Sequence, residues 1–193
     1  MRVAGSRSWG LTFDVGQLPH VALFTRDALA VQAKRSDRLD APRLMHKVPD
    51  RSALIAGQDR PEAASAWQAW WTMIITTPRG ETSQRTPDAS PTLRRAVREL
   101  HRDACAWFEE HRDPWIPPRR DPGRDWPIAK SAAEAAASDR GVSLDVHAET
   151  QLLLVDGNWW QRPAPGVLFY SPAVYVDDIQ LLQLLRETFV SSV

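Results

Sequence analysis

The chain has one cysteine, Cys105, among its 193 residues. A single thiol excludes an internal disulfide and any zinc site built from cysteines. Lysine is almost missing, with three against 21 arginines. That bias fits a GC-rich coding sequence as readily as a function. Charge of one sign is not in excess either: 24 basic side chains face 24 acidic ones. This balance argues against nucleic-acid binding through a broad positive field. The distribution is uneven, because residues 1–97 carry 14 basic and 9 acidic groups (+5) and residues 98–193 carry 10 and 15 (−5). Two halves of one fold that attract each other weakly account for it. Long apolar runs are absent. The longest, Trp70–Ile75 and Gln151–Val155, fall far short of the ~20 residues of a membrane span. The first ten residues lack the apolar stretch of a secretory signal, so a cytoplasmic location is expected.

What is present is tryptophan, nine against two tyrosines and five phenylalanines. Each buried indole brings a large apolar area and one N–H that needs a partner. Trp9, Leu11, Phe13 and Val15 alternate at period two, the pattern of a half-buried strand. His20–Phe24 and Ala28–Ala33 read as a hairpin around Thr25-Arg26-Asp27, although the second run would equally open a helix. Trp67, Trp70, Trp71 and Ile74 recur at helical spacing over 60–77, with Asp59 and Glu62 spaced as a capping box and Pro61 in the first turn. Residues 78–90 form a polar loop. Ser90-Pro91 then starts a second helix, with Leu93, Val97, Leu100, Ala104, Trp107 and Phe108 on one face, ending near His111.

Residues 112–127 hold five prolines and two tryptophans. They read as a loop pinned by Trp115 and Trp126, since proline breaks helices and ladders alike. Pro114, Pro117 and Arg119 match a polyproline-ligand pattern in letters only. An alanine-rich helix follows to Gly141. Residues 143–155 alternate as a strand too long to run unbroken, and Asp156-Gly157 signals a two-residue hairpin. That register sends Trp159 into the core and leaves Trp160, Leu153 and Val155 on the face that carries Asp145, His147 and Glu149. Residues 166–171 form a buried strand. Asp177-Asp178 caps a final helix whose apolar side chains cover over half its circumference, more than one sheet face needs.

Few motifs carry chemistry. There is no G-x-G-x-x-G, P-loop, G-x-S-x-G or H-E-x-x-H. His147-Ala-Glu149 has the H-x-E of zinc deaminases but lacks the downstream Pro-Cys-x-x-Cys that completes their metal site. His101 and Cys105, four apart on a helix, read as surface-edge residues rather than ligands, and His111 as a histidine at a helix end. No metal or other cofactor is expected. Asp145, His147 and Glu149 are the best catalytic candidates, because alternation puts a histidine between two carboxylates on one strand face. The same pattern describes a solvated strand face. The sequence therefore suggests a single α+β domain over 1–193, an antiparallel sheet with a C-terminal β-hairpin and three to four helices packed on it. Its expected role is a non-enzymatic interaction or assembly subunit. The expected partner is a protein or a second copy, neither nucleic acid nor membrane, met through Trp160, Leu153, Val155 and Trp115. A small hydrolase-like enzyme centred on His147 is the alternative.

Overall fold

In a computed structural model, which describes residues 9–31, 41–77, 90–115, 122–140 and 146–192, the period-two segment near the start forms strand β1 (Trp9–Asp14). The chain that follows it becomes a helix, α1 (Gln17–Ala28), where His20–Phe24 was expected as the first strand of a hairpin. Pro19 to Arg26 are all buried, so this helix is surrounded on every side and its sequence shows an apolar run without a helical stripe. Helices α2 (Arg60–Thr76) and α3 (Pro91–Arg112) lie where the tryptophan and leucine spacings place them. Ser90 caps α3 by accepting the Leu93 N–H. Asp59 makes no side-chain cap on α2, so the expected capping box is not formed.

Helix α4 (Pro122–Arg140) begins inside the proline-rich stretch and carries Pro127 within it. Residues 122–127 are thus helical, contrary to the loop expected there: Pro122 opens the first turn, where its missing N–H costs nothing. Pro114 and Trp115 belong to a 3-10 turn, Asp113–Trp115, and the rest of the proline motif lies outside the described residues. Strands β2 (Val146–Leu152), β3 (Trp160–Gln161) and β4 (Val167–Tyr170) follow, then helices α5 (Pro172–Val176) and α6 (Asp178–Ser191). Asp177 caps α6 through the Gln180 N–H.

The architecture is α+β, with a four-stranded sheet in the order β1-β2-β4-β3 and six helices among the described residues. The sheet is mixed: β1 and β4 both run parallel to β2, and only β3 is antiparallel, to β4. This corrects the antiparallel sheet expected from sequence. Alternation reports which face a side chain takes and says nothing about strand direction. The Asp156-Gly157 hairpin is not formed. Backbone groups just before it are taken by another segment: Leu154 O accepts the Met45 N–H at 3.0 Å, and the Asp156 N–H donates to Arg43 O at 2.9 Å. Leu44 and Val155 form an antiparallel bridge there. The hairpin lies instead between β3 and β4 and returns through Gly166. Gly166 holds φ at 71°, and a Cβ there would come within 2.9 Å of Ser192 Cβ; glycine meets both demands.

Within the span that the sequence suggests is one domain, the residues gather into two compact units. One comprises Met1–Val15, Pro114–Leu153 and Gly157–Val193; the other comprises Gly16–Asp113 and Leu154–Asp156. In the first, α6 packs on β2 and β4, and α4 packs on α6. The buried stripe of α6 is Leu181, Leu184, Leu185, Thr188 and Phe189, an ordinary amphipathic face. In the second, α1, α2 and α3 pack together around Phe24, Trp67, Trp71, Leu93, Leu100, Trp107 and Phe108, all buried. Trp67 and Trp71 stack with ring centroids 5.9 Å apart, and Trp67 donates its indole N–H to Ala22 O at 2.7 Å.

Candidate functional site

His147 lies on β2 opposite Gly10 of β1 in the parallel register. Its ring occupies the space a side chain on residue 10 would fill: a Cβ on Gly10 would come within 2.7 Å of Nδ1. Thr12 Oγ1 is 3.4 Å from Nε2. The ring is exposed, and Glu149, two residues along, is half-buried. Asp145 lies outside the described residues. The structure therefore brings His147 and Glu149 onto one face, as alternation requires, with Thr12 as the polar neighbour the sequence did not indicate. An imidazole held over a glycine and touched by a hydroxyl can accept a proton. The carboxylate partner that would fix its tautomer is not in contact with it among the described residues.

The four residues expected to meet a partner separate. Trp160 is 40% exposed, and Arg162 stacks on it with its guanidinium carbon 5.4 Å from the ring centroid. Its register partner is Tyr170, itself paired with Leu152, so Trp160 takes the face opposite His147 and Glu149 rather than the shared face expected. Leu153 and Val155 are buried and form no apolar surface beside it. Trp115 is half-buried against Tyr175, edge to face at 6.0 Å. Trp159, expected in the core, is half-buried; the Ser171 N–H donates to its carbonyl at 2.8 Å, and its own N–H donates to Ser171 Oγ at 3.1 Å.

Other apolar side chains in the same unit are more exposed than Trp160. Val176 is 66% exposed at the end of α5, Ile179 82% exposed at the start of α6, and Trp126 62% exposed on α4. Trp126 does not pin a loop; it stacks on Trp9 with centroids 4.7 Å apart. Two residues before it, Arg124 bonds to the Tyr175 carbonyl and to the Asp178 carboxylate, tying α4 to the α5–α6 corner. Tyr175 donates its hydroxyl proton to Asp125 at 3.0 Å.

No family model matches this chain, and no curated protein or solved structure matches it either. Function rests on the geometry alone.

Three histidines that sequence spacing did not single out as a group lie in the helical unit. His20 is fully buried; its Nδ1–H donates to Gly16 O at 2.5 Å, and its Nε2 accepts the Leu154 N–H at 2.9 Å. Burial pushes its pKa down to about 4, against the pull of the Gly16 carbonyl. His46 and His111 lie ring to ring, 4.1 Å apart, and His111 stacks on Trp107 at 4.8 Å. Burial lowers the His46 pKa, the charge of His111 adds to that, and Glu110 opposes it. His101 lies 3.6 Å from Cys105 Sγ. Burial and then Glu109 raise the thiol's pKa, so it is not an activated nucleophile.

Among the described residues, no three His, Cys, Asp or Glu side chains come together to hold a metal ion. No helix among them is long and apolar enough to cross a membrane. A shallow cleft of about 500 Å³ is lined by Asp139, Arg162, Gln183, Arg186, Glu187 and Val190. Its cations are already paired, Arg162 with Glu187 at 2.7 Å and Arg186 with Asp139 at 2.6 Å.

Proposed function

We propose that this chain is a non-catalytic interaction subunit that engages a protein partner, or a second copy, through the corner between α5 and α6. The observation that carries the reading is the exposure of Val176 and Ile179 on either side of that corner. Isolated exposed apolar residues are ordinary on a surface. Here two β-branched side chains protrude at a junction that Arg124 ties down through Tyr175 and Asp178, so the apolar tips sit on a braced support. Trp160, 40% exposed with Arg162 over its ring, belongs to the same proposal, since tryptophan is among the residue types enriched at binding hot spots. The proposed setting is cytoplasmic, consistent with a single cysteine.

The test compares the native chain with a Val176→Asp/Ile179→Asp double variant and with Trp160→Ala. Light scattering reads self-association, and affinity capture reads partners. Association lost in the double variant, with Tm moved by less than about 2 °C, supports the interface. Equal association in all three proteins overturns it.

A second reading, a small enzyme using His147 as general base, is favoured by one observation: Gly10 leaves the space in which the imidazole lies. His147→Ala should keep the fold, with a stability change within about 0.5 kcal/mol, because the side chain is exposed. If an activity is found and this variant retains it in full, His147 is not its base.

A further inference from the structure

We infer that His46 and His111 form an acid-sensitive latch that holds the loop His46–Asp50 over Trp107, so that acidification uncovers the indole. The inference goes beyond the proposed interface and does not depend on it. The loop is pinned at both ends. Before it, the Met45 N–H donates to Leu154 O at 3.0 Å; after it, the Arg51 N–H donates to Ala28 O at 2.7 Å, and Arg51 pairs with Asp103 of α3 at 3.6 Å. Between these pins, the contact seen with α3 is aromatic: His46 lies 4.1 Å from the His111 ring and 6.3 Å from the Trp107 ring. Trp107 is buried, and its indole N–H has no hydrogen-bond partner among the described residues.

The two imidazoles lie ring to ring at the end of α3. His111 lies one residue from the end of α3, and its Nδ1 is 2.7 Å from Trp107 O. A carbonyl only accepts, so in the neutral ring Nδ1 carries the proton. A proton added to His46 is opposed by His111 across a 4.1 Å ring contact. The groups whose charge acts on His46 are His111 and Glu110, both on α3. Glu110 attracts the imidazolium, but burial and His111 act against it. Histidine is the side chain whose ordinary titration falls in this range, so the contact fails on mild acidification while both pins, which carry no histidine, persist. His20, buried with its ring 6.4 Å from Trp107, has its pKa pushed down to about 4.

The test is indole NMR on the full chain labelled at tryptophan nitrogen, with a neutral gadolinium chelate as the solvent probe. The Trp107 signal is identified by its loss in Trp107→Phe. Between about pH 7.5 and about pH 5.5, relaxation of the Trp107 N–H by the probe should rise about fivefold or more, while Trp67, whose N–H bonds to Ala22 O, stays protected. In His46→Gln the rise should vanish, with Trp107 equally accessible at both pH values. Three results overturn the latch: no change in the native chain, an undiminished change in His46→Gln, or a parallel rise at Trp67, which would mean general unfolding. His111→Gln serves as the second variant should His46→Gln fold poorly, and it should also remove the pH dependence.

Discussion

His20 shows how one residue can carry a pH dependence that no sequence motif announces. Both ring nitrogens are used, one donating to Gly16 O and one accepting from Leu154 N–H, and only the neutral ring can do both. Its pKa falls from an ordinary 6.5 to about 4 in the fold. A lowered histidine pKa contributes stability that is complete above 6.5 and is lost as pH falls toward 4. The size of the shift corresponds to about 3 kcal/mol. Urea unfolding at several pH values should show the native chain losing that much relative to His20→Gln between those limits. A difference below about 1 kcal/mol would mean that the ring is not held neutral. In the sequence His20 is one polar residue within a run of apolar ones, and its two partners are four and 134 positions away. The first spacing suits a helix start, and no local pattern encodes the second. For His147, alternation along its strand placed Glu149 on the same face, while its contacts with Gly10 and Thr12 come from a strand 135 or more residues earlier that no local pattern pairs with it.

At the scale of elements, α2, α3 and α6 were legible, but six helices stand among the described residues where three to four were expected, because the short α5 and the fully buried α1 show no helical stripe, and strand relationships were read poorly. Helix α3 was legible from Ser90 to nearly its end because cap, first-turn proline and apolar stripe agree. Its packing gives a direct test. Trp107 lies against Phe24 of α1, with ring centroids 6.1 Å apart. Trp107→Ala should cost about 3–5 kcal/mol by chemical denaturation. A loss under about 1 kcal/mol would mean that the indole is not a core residue. Helix α1 was ambiguous because it is buried all round, which removes the period that identifies a helix. The sheet was misread for two reasons. Parallel pairing of β1 with β2 joins segments far apart in sequence, where turn chemistry offers no clue. Asp156-Gly157 has the letters of a hairpin, but residues 43–45 take the backbone groups of Leu154 and Asp156 before those could pair with Trp159 and Trp160. The same change moved Trp160 to the face of Tyr170 and buried Leu153 and Val155.

For the whole molecule, composition excluded disulfides, a cysteine-built zinc site and a span of membrane length, and among the described residues there is no helix suited to crossing a bilayer and no cluster suited to a metal ion. Composition could not reveal that the chain leaves one compact unit after Val15, returns to it at Pro114, and lends Leu154–Asp156 to the other. This interleaving dictates an order of events during synthesis. Thr12 and His147, partners across the β1–β2 pair, are 135 residues apart. At ordinary elongation speeds a ribosome needs roughly 7 to 27 s to make that much chain. Throughout that interval Trp9–Asp14 has been translated and its mate has not, whereas the residues of α1, α2 and α3 emerge consecutively and can begin to assemble. The nascent polypeptide therefore carries an unmatched, tryptophan-bearing β-segment with no lysine or proline to discourage stray pairing. During that wait the segment is open to stray pairing that its partner strand later prevents.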